Sequence, residues 1–263
     1  MAELGTTLAQ LARTDELLVA LDFDGTLAPM VDDPQDARAL PAARDAILLL
    51  MALPRTRVAL ISGRAMGSLV QVSDLPETAL LIGSHGVEVR LDAEPALTLD
   101  ADEAGRVHAL CHILTAIAQT HEGVWVEAKP AGFALHTRLA NSEDSHSATE
   151  RALAETEHDL PGLTVRRGTN VLEFSVRATN KGDAIRRLRE FVHPTATLFA
   201  GDDVTDEDAF AVLEPGDLGL KCGAGETAAD HRVANAEQVA EVLEELARLR
   251  REETGQQATG TES

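Results

Sequence analysis

Residues 18–30 read LVALDFDGTLAPM, an apolar run that ends in two aspartates one residue apart and then turns at a glycine. A run without polar interruption is typical of a strand buried on both faces of a parallel sheet. Asp22 and Asp24 therefore follow a predicted buried strand, and Gly25 lets the chain turn at close quarters. Ligands of parallel α/β sheets bind at the carboxyl ends of the strands, so this stretch predicts both a fold and a site.

The same pattern recurs along the chain. Further apolar runs before small-residue turns are RVALIS (57–62), ALLIG (79–83), ATLFAGD (196–202) and LGLKCG (218–223). Helical periodicity separates them: Ile185, Leu188 and Val192 share one face, and a C-terminal segment has an apolar face of its own. The residues of that second face are Val239, Val242, Leu243, Leu246 and Leu249. Alternating strands and helices predict an α/β fold with a doubly wound parallel sheet.

The middle of the chain follows a different period. A helical face comes first, formed by Val107, Leu110, Leu114 and Ile117. GVWVEAK (123–129) and AGFALHTR (131–138) then alternate with a period of two, which predicts a hairpin that turns near 130–132. After a polar, helix-compatible stretch, GLTVRRGTNVLEFSV (162–176) predicts a second hairpin that turns at 168–170. Two helices and two hairpins predict a separate α+β unit.

These patterns predict the domain organisation. We expect the α+β unit to be a cap at 101–178, inserted into a core formed by 1–100 and 179–250. The remaining segment, 251–263, is polar and is expected to be a disordered tail.

Composition restricts the partners. The chain of 263 residues carries 23 basic and 44 acidic residues, a net charge of −21 that disfavours nucleic acid and anionic membranes. Two cysteines give no disulfide framework, no apolar run reaches the ~20 residues of a membrane span, and no signal peptide is evident. We therefore expect a cytoplasmic protein. We also expect it to be a monomer that acts on a small molecule. A phosphorylated substrate would need a local cation cluster or a bound metal.

Polar residues at four predicted strand ends or helix starts carry the chemistry. They are Asp22 with Asp24, Ser62, Lys181, and Asp202 with Asp206. Each alone is compatible with a turn, a helix cap or a solvated side chain. Together they suit phosphoryl transfer, with one aspartate to attack phosphorus and a second to move a proton. Asp22 and Asp202 would hold Mg²⁺, a hard ion that prefers oxygen ligands, while Lys181 and Ser62 would hold phosphoryl oxygens.

The motifs carry a family resemblance. DFDGTL, SGR, NKG and GDDVTDED resemble, in order, the four motifs of the haloacid dehalogenase-like (HAD) phosphatases, and the inserted unit has the placement of their type C2 cap. More narrowly, LDFDGTLAPMVDDP, IGSHGVE, ALHTR, NKG and GDDVTDEDAF resemble the trehalose-6-phosphate phosphatase family. The similarity runs from Val19 to about Leu220.

The resemblance implies roles for particular positions. Asp22 would be the nucleophile that forms an aspartyl-phosphate, and Asp24 the general acid and base, with Ser62 and Lys181 completing the catalytic set. Mg²⁺ would be held by the Asp22 carboxylate, the Asp24 main-chain carbonyl and Asp202, with Asp206 supporting the metal shell or orienting Lys181. The residues expected to contact substrate are Gly25, Arg64, His85, Glu127, Lys129, Arg138 and Glu173.

The expected reaction is Mg²⁺-dependent hydrolysis of trehalose 6-phosphate to trehalose and phosphate, the final step of trehalose biosynthesis. Alternatives are a capped phosphatase of sucrose phosphate or mannosyl-3-phosphoglycerate, and a non-catalytic sugar-phosphate sensor. The cap residues are also compatible with the solvated face of a half-buried sheet, and His85 with a second acid or a metal ligand. Asn170 and Thr137 depart from the residues that are usual in the family. The aspartates around Asp206 lack the ligand spacing of a calcium loop.

Overall fold

The computed structural model describes residues 2–31, 33–91 and 99–260. The chain divides into two compact units, one formed by 1–95 with 180–263 and the other by 96–179. The helices are α1 (Ala2–Leu11), α2 (Pro41–Ala52), α3 (Met66–Ser73), α4 (Ala101–Gln119), α5 (Ser142–Asp159), α6 (Lys181–Val192), α7 (Glu207–Phe210) and α8 (Ala236–Gly260). The strands are β1 (Leu17–Leu21), β2 (Thr56–Ile61), β3 (Leu80–Gly83), β4 (Glu88–Arg90), β5 (Trp125–Lys129), β6 (Gly132–His136), β7 (Thr164–Gly168), β8 (Val171–Ser175), β9 (Ala196–Gly201), β10 (Leu218–Cys222) and β11 (His231–Val233).

The first unit is built on a seven-stranded sheet in the order β11-β10-β9-β1-β2-β3-β4. All neighbours are parallel except β3 and β4. The five strands expected from apolar runs are present, whereas the three-residue edge strands β4 and β11 are too short to give a sequence signal. Strands β2, β3 and β4 follow one another on one side of β1, and β9, β10 and β11 follow one another on its other side. The strand order therefore reverses between β1 and β9. Such a reversal is where ligands of α/β sheets bind.

Strand β1 shows why its sequence is uniformly apolar. Leu17, Val19 and Leu21 belong to a core cluster that includes side chains of α1, α2, α3 and α8. Leu18 and Ala20 point the other way, into a cluster with side chains of α6 and α7. Helices therefore cover both faces of the sheet, which confirms the doubly wound α/β fold.

The second unit contains the predicted order of helix, hairpin, helix and hairpin. Its antiparallel sheet has the order β5-β6-β8-β7. One face of this sheet is apolar and packs against α4 and α5 through Leu135, Leu172 and Phe174. Asn170 lies in the turn between β7 and β8 with φ of 57°, a conformation that asparagine tolerates better than most residues. Asn170, one of the two departures from the family pattern, therefore suits the conformation of this turn.

The C-terminal segment differs from the expected disordered tail, because α8 continues to Gly260. Arg250 is 3% exposed, and its guanidinium donates to main-chain oxygens between α1 and β1. This anchor holds the helix against the core, and the charged residues beyond it have good helix propensity. Residues 261–263 lie outside the described part of the chain. No described helix is both long and apolar enough to cross a membrane.

Candidate active site

Strand ends bring the predicted core residues together. Asp22 follows β1 and Asp202 follows the neighbouring strand β9, while Ser62 follows β2 on the other side. The main-chain N–H of Asp22 donates to Ala200 O at 2.9 Å, so the parallel ladder continues to the base of the site. Lys181 is the first residue of α6, whose N-terminus is held by a capping box between Asn180 and Asp183. Regular backbone therefore fixes the start of each of these side chains.

Lys181 lies between two carboxylates. Its Nζ donates to Asp22 Oδ1 and to Asp206 Oδ1, both at 2.7 Å, and the residue is 2% exposed. Burial lowers the pKa of Lys181, but the charges of Asp22 and Asp206 outweigh burial and raise it overall. The ammonium group is therefore a fixed positive charge beside the proposed nucleophile.

Asp206 organises the acidic loop after β9. Its Oδ2 accepts main-chain N–H bonds from Asp202 at 3.0 Å and from Asp203 at 2.9 Å, while Oδ1 accepts from Lys181. Gly201 leaves room for this arrangement, because a Cβ there would lie 2.2 Å from the Asp206 carboxyl carbon. These contacts favour the loop-supporting and Lys181-orienting role among those expected for Asp206.

Asp22, Asp202 and Asp206 form an acidic group that fits a metal ion. One oxygen from each lies within 4.8 Å of the others. Burial raises the pKa of Asp22 to about 6 from an ordinary 3.8, although Lys181 opposes the rise. Burial and neighbouring carboxylates likewise raise the pKa of Asp202 to about 6 and that of Asp206 to about 7. Three carboxylates this close together repel one another when they are ionised. A hard divalent cation prefers oxygen ligands and would offset this repulsion.

The Asp24 side chain is paired with Arg64. Arg64 Nε donates to Asp24 Oδ2 and Nη2 donates to Asp24 Oδ1, both at 2.6 Å. The Asp24 carboxylate thus accepts a bidentate guanidinium. Ser62 is buried, and its Oγ accepts from the Arg64 main-chain N–H at 3.1 Å.

His85 lies in a tight turn after β3. Ser84 and His85 both have positive φ, at 49° and 52°, and Glu88 accepts a 2.8 Å hydrogen bond from the Ser84 hydroxyl. The imidazole lies against Gly63, where a Cβ would come within 2.5 Å of His85 Nε2. The turn therefore places the imidazole beside the backbone that precedes Arg64.

Three of the four predicted sugar-binding residues share the second sheet face of the inserted unit. Glu127, Lys129 and Glu173 lie on the face opposite the helices, as their strand positions require. Glu127 accepts hydrogen bonds from Lys129 Nζ and pairs with His136 Nε2, both at 2.8 Å. Arg138 differs from its predicted place in a strand, because β6 ends at His136 and Arg138 is exposed in the following turn.

Thr137, the second departure from the family pattern, lies between His136 and Arg138. Its side chain is 4% exposed and accepts a 2.9 Å hydrogen bond from the Ser145 hydroxyl. The main-chain N–H of Thr137 also donates to Asn170 O at 2.9 Å. Thr137 therefore joins β6 to α5 and to the neighbouring turn.

Sequence reasoning missed several residues of these sites. Thr26 donates to Asp22 Oδ2 at 3.2 Å and to Asp202 Oδ1 at 3.4 Å. Lys221 is 3% exposed and donates to Asp203 O at 3.1 Å, and a lysine inside the apolar run LGLKCG was the available signal. Trp125 stacks on His136 with ring centroids 4.7 Å apart, an aromatic pair on the same sheet face as Glu127 and Glu173.

The doubly wound core, the strand-end carboxylates with their buried lysine and the inserted α+β cap define a HAD-like fold. Solved structures agree with this fold. Those with less than 25% sequence identity to the chain support the fold alone. Trehalose-6-phosphate phosphatase of Aspergillus fumigatus has a TM-score of 0.71 at 25% identity, covering 93% of this chain and 97% of that chain. The corresponding C-terminal domain from Candida albicans has a TM-score of 0.73 at 22% identity, covering 93% and 96%.

Sequence comparison narrows the class. The sequence model of the trehalose-phosphatase family matches residues 20–247, and the chain belongs to this family. It is 33% identical over 229 residues to trehalose-6-phosphate phosphatase of Escherichia coli, covering 85% of this chain and 84% of that protein. It is 31% identical over 239 residues to the bifunctional trehalose-6-phosphate synthase/phosphatase of Thermoproteus tenax, covering 89% of this chain but only 32% of that protein. The chain spans 58% of the Mycobacterium ulcerans trehalose-phosphate phosphatase, to which it is 33% identical.

Proposed function

We propose that the protein hydrolyses trehalose 6-phosphate to trehalose and phosphate through an aspartyl-phosphate on Asp22. The observation that carries the proposal is the buried contact of Lys181 with Asp22 and Asp206 at the carboxyl ends of β1 and β9. Membership of the trehalose-phosphatase family supports the choice of substrate. A sugar-phosphate sensor would have no need of a nucleophile held by a buried cation beside a second carboxylate.

The first half of the reaction uses Asp22 and Asp24. An Asp22 carboxylate oxygen attacks phosphorus while the bond from phosphorus to the sugar oxygen breaks, and Asp24 gives its proton to the departing oxygen. Lys181 keeps Asp22 oriented from 2.7 Å and stabilises charge in the transition state. In the second half, Asp24 takes a proton from water, which attacks phosphorus and releases Asp22 and phosphate.

The carboxylates of Asp22 and Asp202 and the main-chain carbonyl of Asp24 would hold Mg²⁺. When bound, the ion would neutralise the repulsion between the Asp22 carboxylate and the phosphate dianion. Thr26 supports this donor set, because its hydroxyl contacts both carboxylates. Asp206, whose two oxygens already accept from Lys181 and from two main-chain N–H groups, supports the loop that carries Asp202.

The cap would supply sugar recognition. Glu127, Lys129 and Glu173 present charged donors and acceptors on one sheet face, and Arg138 follows the adjacent strand. Sugar hydroxyls need such groups, and selectivity must come from contacts remote from phosphorus because the core chemistry is common to phosphomonoesters. The cytoplasmic location and the monomeric state stay predictions.

A phosphate-release screen tests the function. The purified protein is given trehalose 6-phosphate, sucrose 6-phosphate, mannosyl-3-phosphoglycerate and glucose 6-phosphate, each with Mg²⁺ and with excess chelator. We expect rapid release from trehalose 6-phosphate alone, reversible loss of activity on chelation, and poor replacement of Mg²⁺ by Ca²⁺. Equal rates with glucose 6-phosphate would refute the substrate assignment, and full activity in chelator would refute the metal requirement.

A further inference from the structure

Arg64 makes its closest contacts with the carboxylate of Asp24, the proposed general acid and base. Its guanidinium holds both Asp24 oxygens at 2.6 Å, and the Arg64 and Asp24 side chains are 10% and 33% exposed. A bidentate pair of this length fixes the plane and the rotamer of the carboxylate, which a single hydrogen bond does not. The guanidinium also lies over the Phe23 ring, 5.7 Å from its centroid, so its own position is restricted.

The remaining donors of Arg64 are largely occupied as well. Nη1 donates to Pro34 O at 2.7 Å and to Ser68 Oγ at 3.2 Å. A guanidinium has five N–H groups, so these bonds and the two to Asp24 use about four of them among the described residues. Arg64 could therefore offer a phosphate two parallel N–H groups only by breaking one of these bonds, to Asp24, to Pro34 or to Ser68. This argues against the substrate-binding role expected from the sequence.

We propose that Arg64 is a positioning residue that acts on the reaction through Asp24, and this rests on the proposed function. A carboxylate has about four acceptor positions on its two oxygens, and Arg64 uses two of them. The others can hold the proton that passes to the departing sugar oxygen and, later, the proton taken from water. Arg64 itself gives no proton to the sugar oxygen and takes none from water. Its effect is to keep one Asp24 oxygen aimed at the reacting atoms.

A double-mutant cycle tests this. Arg64→Gln, Asp24→Asn and the double variant are compared with the wild-type protein on trehalose 6-phosphate. We expect Arg64→Gln to lower kcat by about tenfold to 100-fold, the cost of a poorly placed catalytic group, and to leave KM and inhibition by inorganic phosphate unchanged. In the Asp24→Asn background, Arg64→Gln should cause no further loss, since the ion pair is already absent.

Arg38→Gln is the matched control. Arg38 precedes α2 and donates to the main-chain oxygens of Gln35 and Ala37, both at 2.7 Å, without touching Asp24. It should retain wild-type kcat. If Arg64→Gln lowers the melting temperature enough to leave the protein partly unfolded, Arg64→Lys replaces it in the cycle, because lysine keeps the charge but loses the bidentate geometry.

The outcomes separate the two hypotheses. Weaker inhibition by inorganic phosphate in Arg64→Gln would make Arg64 a phosphate ligand and overturn the inference. An equal fold-loss in both backgrounds would do the same, because Arg64 would then act independently of Asp24. If the wild-type protein hydrolyses p-nitrophenyl phosphate but not trehalose 6-phosphate, only the substrate assignment fails and the cycle is run on the generic substrate. Absence of activity on both substrates would overturn the inference and the proposed function together.

Discussion

The substitution Gly25→Ala should impair the site through one identifiable contact. Gly25 has φ of +81°, and a Cβ at this position would lie 2.1 Å from Asp202 Oδ2. Ordinary van der Waals contact begins at 3.4 Å, so the Asp202 carboxylate would have to move by about 1 Å. Alanine also pays a conformational cost of about 1 kcal/mol in the left-handed region.

Gly223 separates these two effects. It has nearly the same φ, +79°, but a Cβ there would meet nothing within 4 Å. Both alanine variants should therefore lose about 1 kcal/mol of unfolding free energy, or roughly 2 to 4 °C in melting temperature for a chain of this size. Only Gly25→Ala should displace Asp202, and a shift of about 1 Å in a positioned group can cost on the order of 100-fold in rate.

The assay is phosphate release from trehalose 6-phosphate over a Mg²⁺ titration. We expect Gly25→Ala to lose about 100-fold in kcat/KM and to need more Mg²⁺ for half-maximal activity, whereas Gly223→Ala should match the wild-type protein in both. Two results would refute the reasoning: an unchanged kcat/KM in Gly25→Ala, or an equal loss in Gly223→Ala. The second would mean that backbone strain, and not contact with Asp202, controls the site.

Three further predictions concern the nucleophile, the cap and pH. Asp22→Asn should abolish turnover while the protein stays folded, and Asp24→Asn should lower the turnover rate by roughly 10²- to 10⁴-fold. Steady-state rates check both variants. Wild-type activity in Asp22→Asn would exclude the covalent route. Glu127→Ala and Arg138→Ala should each lose about ten- to 150-fold in kcat/KM on trehalose 6-phosphate but little on p-nitrophenyl phosphate, with exposed Glu157→Ala as control; equal losses on both substrates would indicate a structural role. Because the folded-state pKa values of Asp22, Asp202 and Asp206 are raised, their stabilising contribution is present below about pH 4 and is lost as pH rises through 6 to 7. In chelator, the melting temperature should fall between about pH 4 and pH 7, and added Mg²⁺ should restore it. A melting temperature that does not change with pH would contradict the raised pKa values.

Most of the fold could be predicted because its signals are local. The core strands are buried on both faces, so β1, β2, β3, β9 and β10 appear in the sequence as uninterrupted apolar runs. The hairpins of the inserted unit have one apolar face, and their period of two is equally visible. Strands β4 and β11 are three residues long and carry too few residues for any period. The helical end of α8 depends on the buried contacts of Arg250, which a local reading of polar residues does not contain.

The site was predictable to the extent that residue type determines chemistry. Aspartates at strand ends and a lysine at a helix start indicate phosphoryl transfer before any distance is known. Pairing between side chains was not predictable, because it depends on distances across the fold. Arg64 and Asp24 are 40 residues apart in sequence and 2.6 Å apart in space, and nothing local distinguishes an arginine that holds phosphate from one that holds a carboxylate.

Local charge explains why such a site would need a divalent ion. Lys181 is the buried cation beside Asp22, yet its Nζ already contacts both Asp22 and Asp206. With Asp202 included, three carboxylates face one ammonium group, and Arg64 is committed to Asp24. A phosphate dianion that entered this cluster would meet net negative charge, in a protein whose overall charge is −21. We therefore expect phosphate binding, and not only catalysis, to require Mg²⁺. Inorganic phosphate should protect the protein against thermal unfolding only when Mg²⁺ is present.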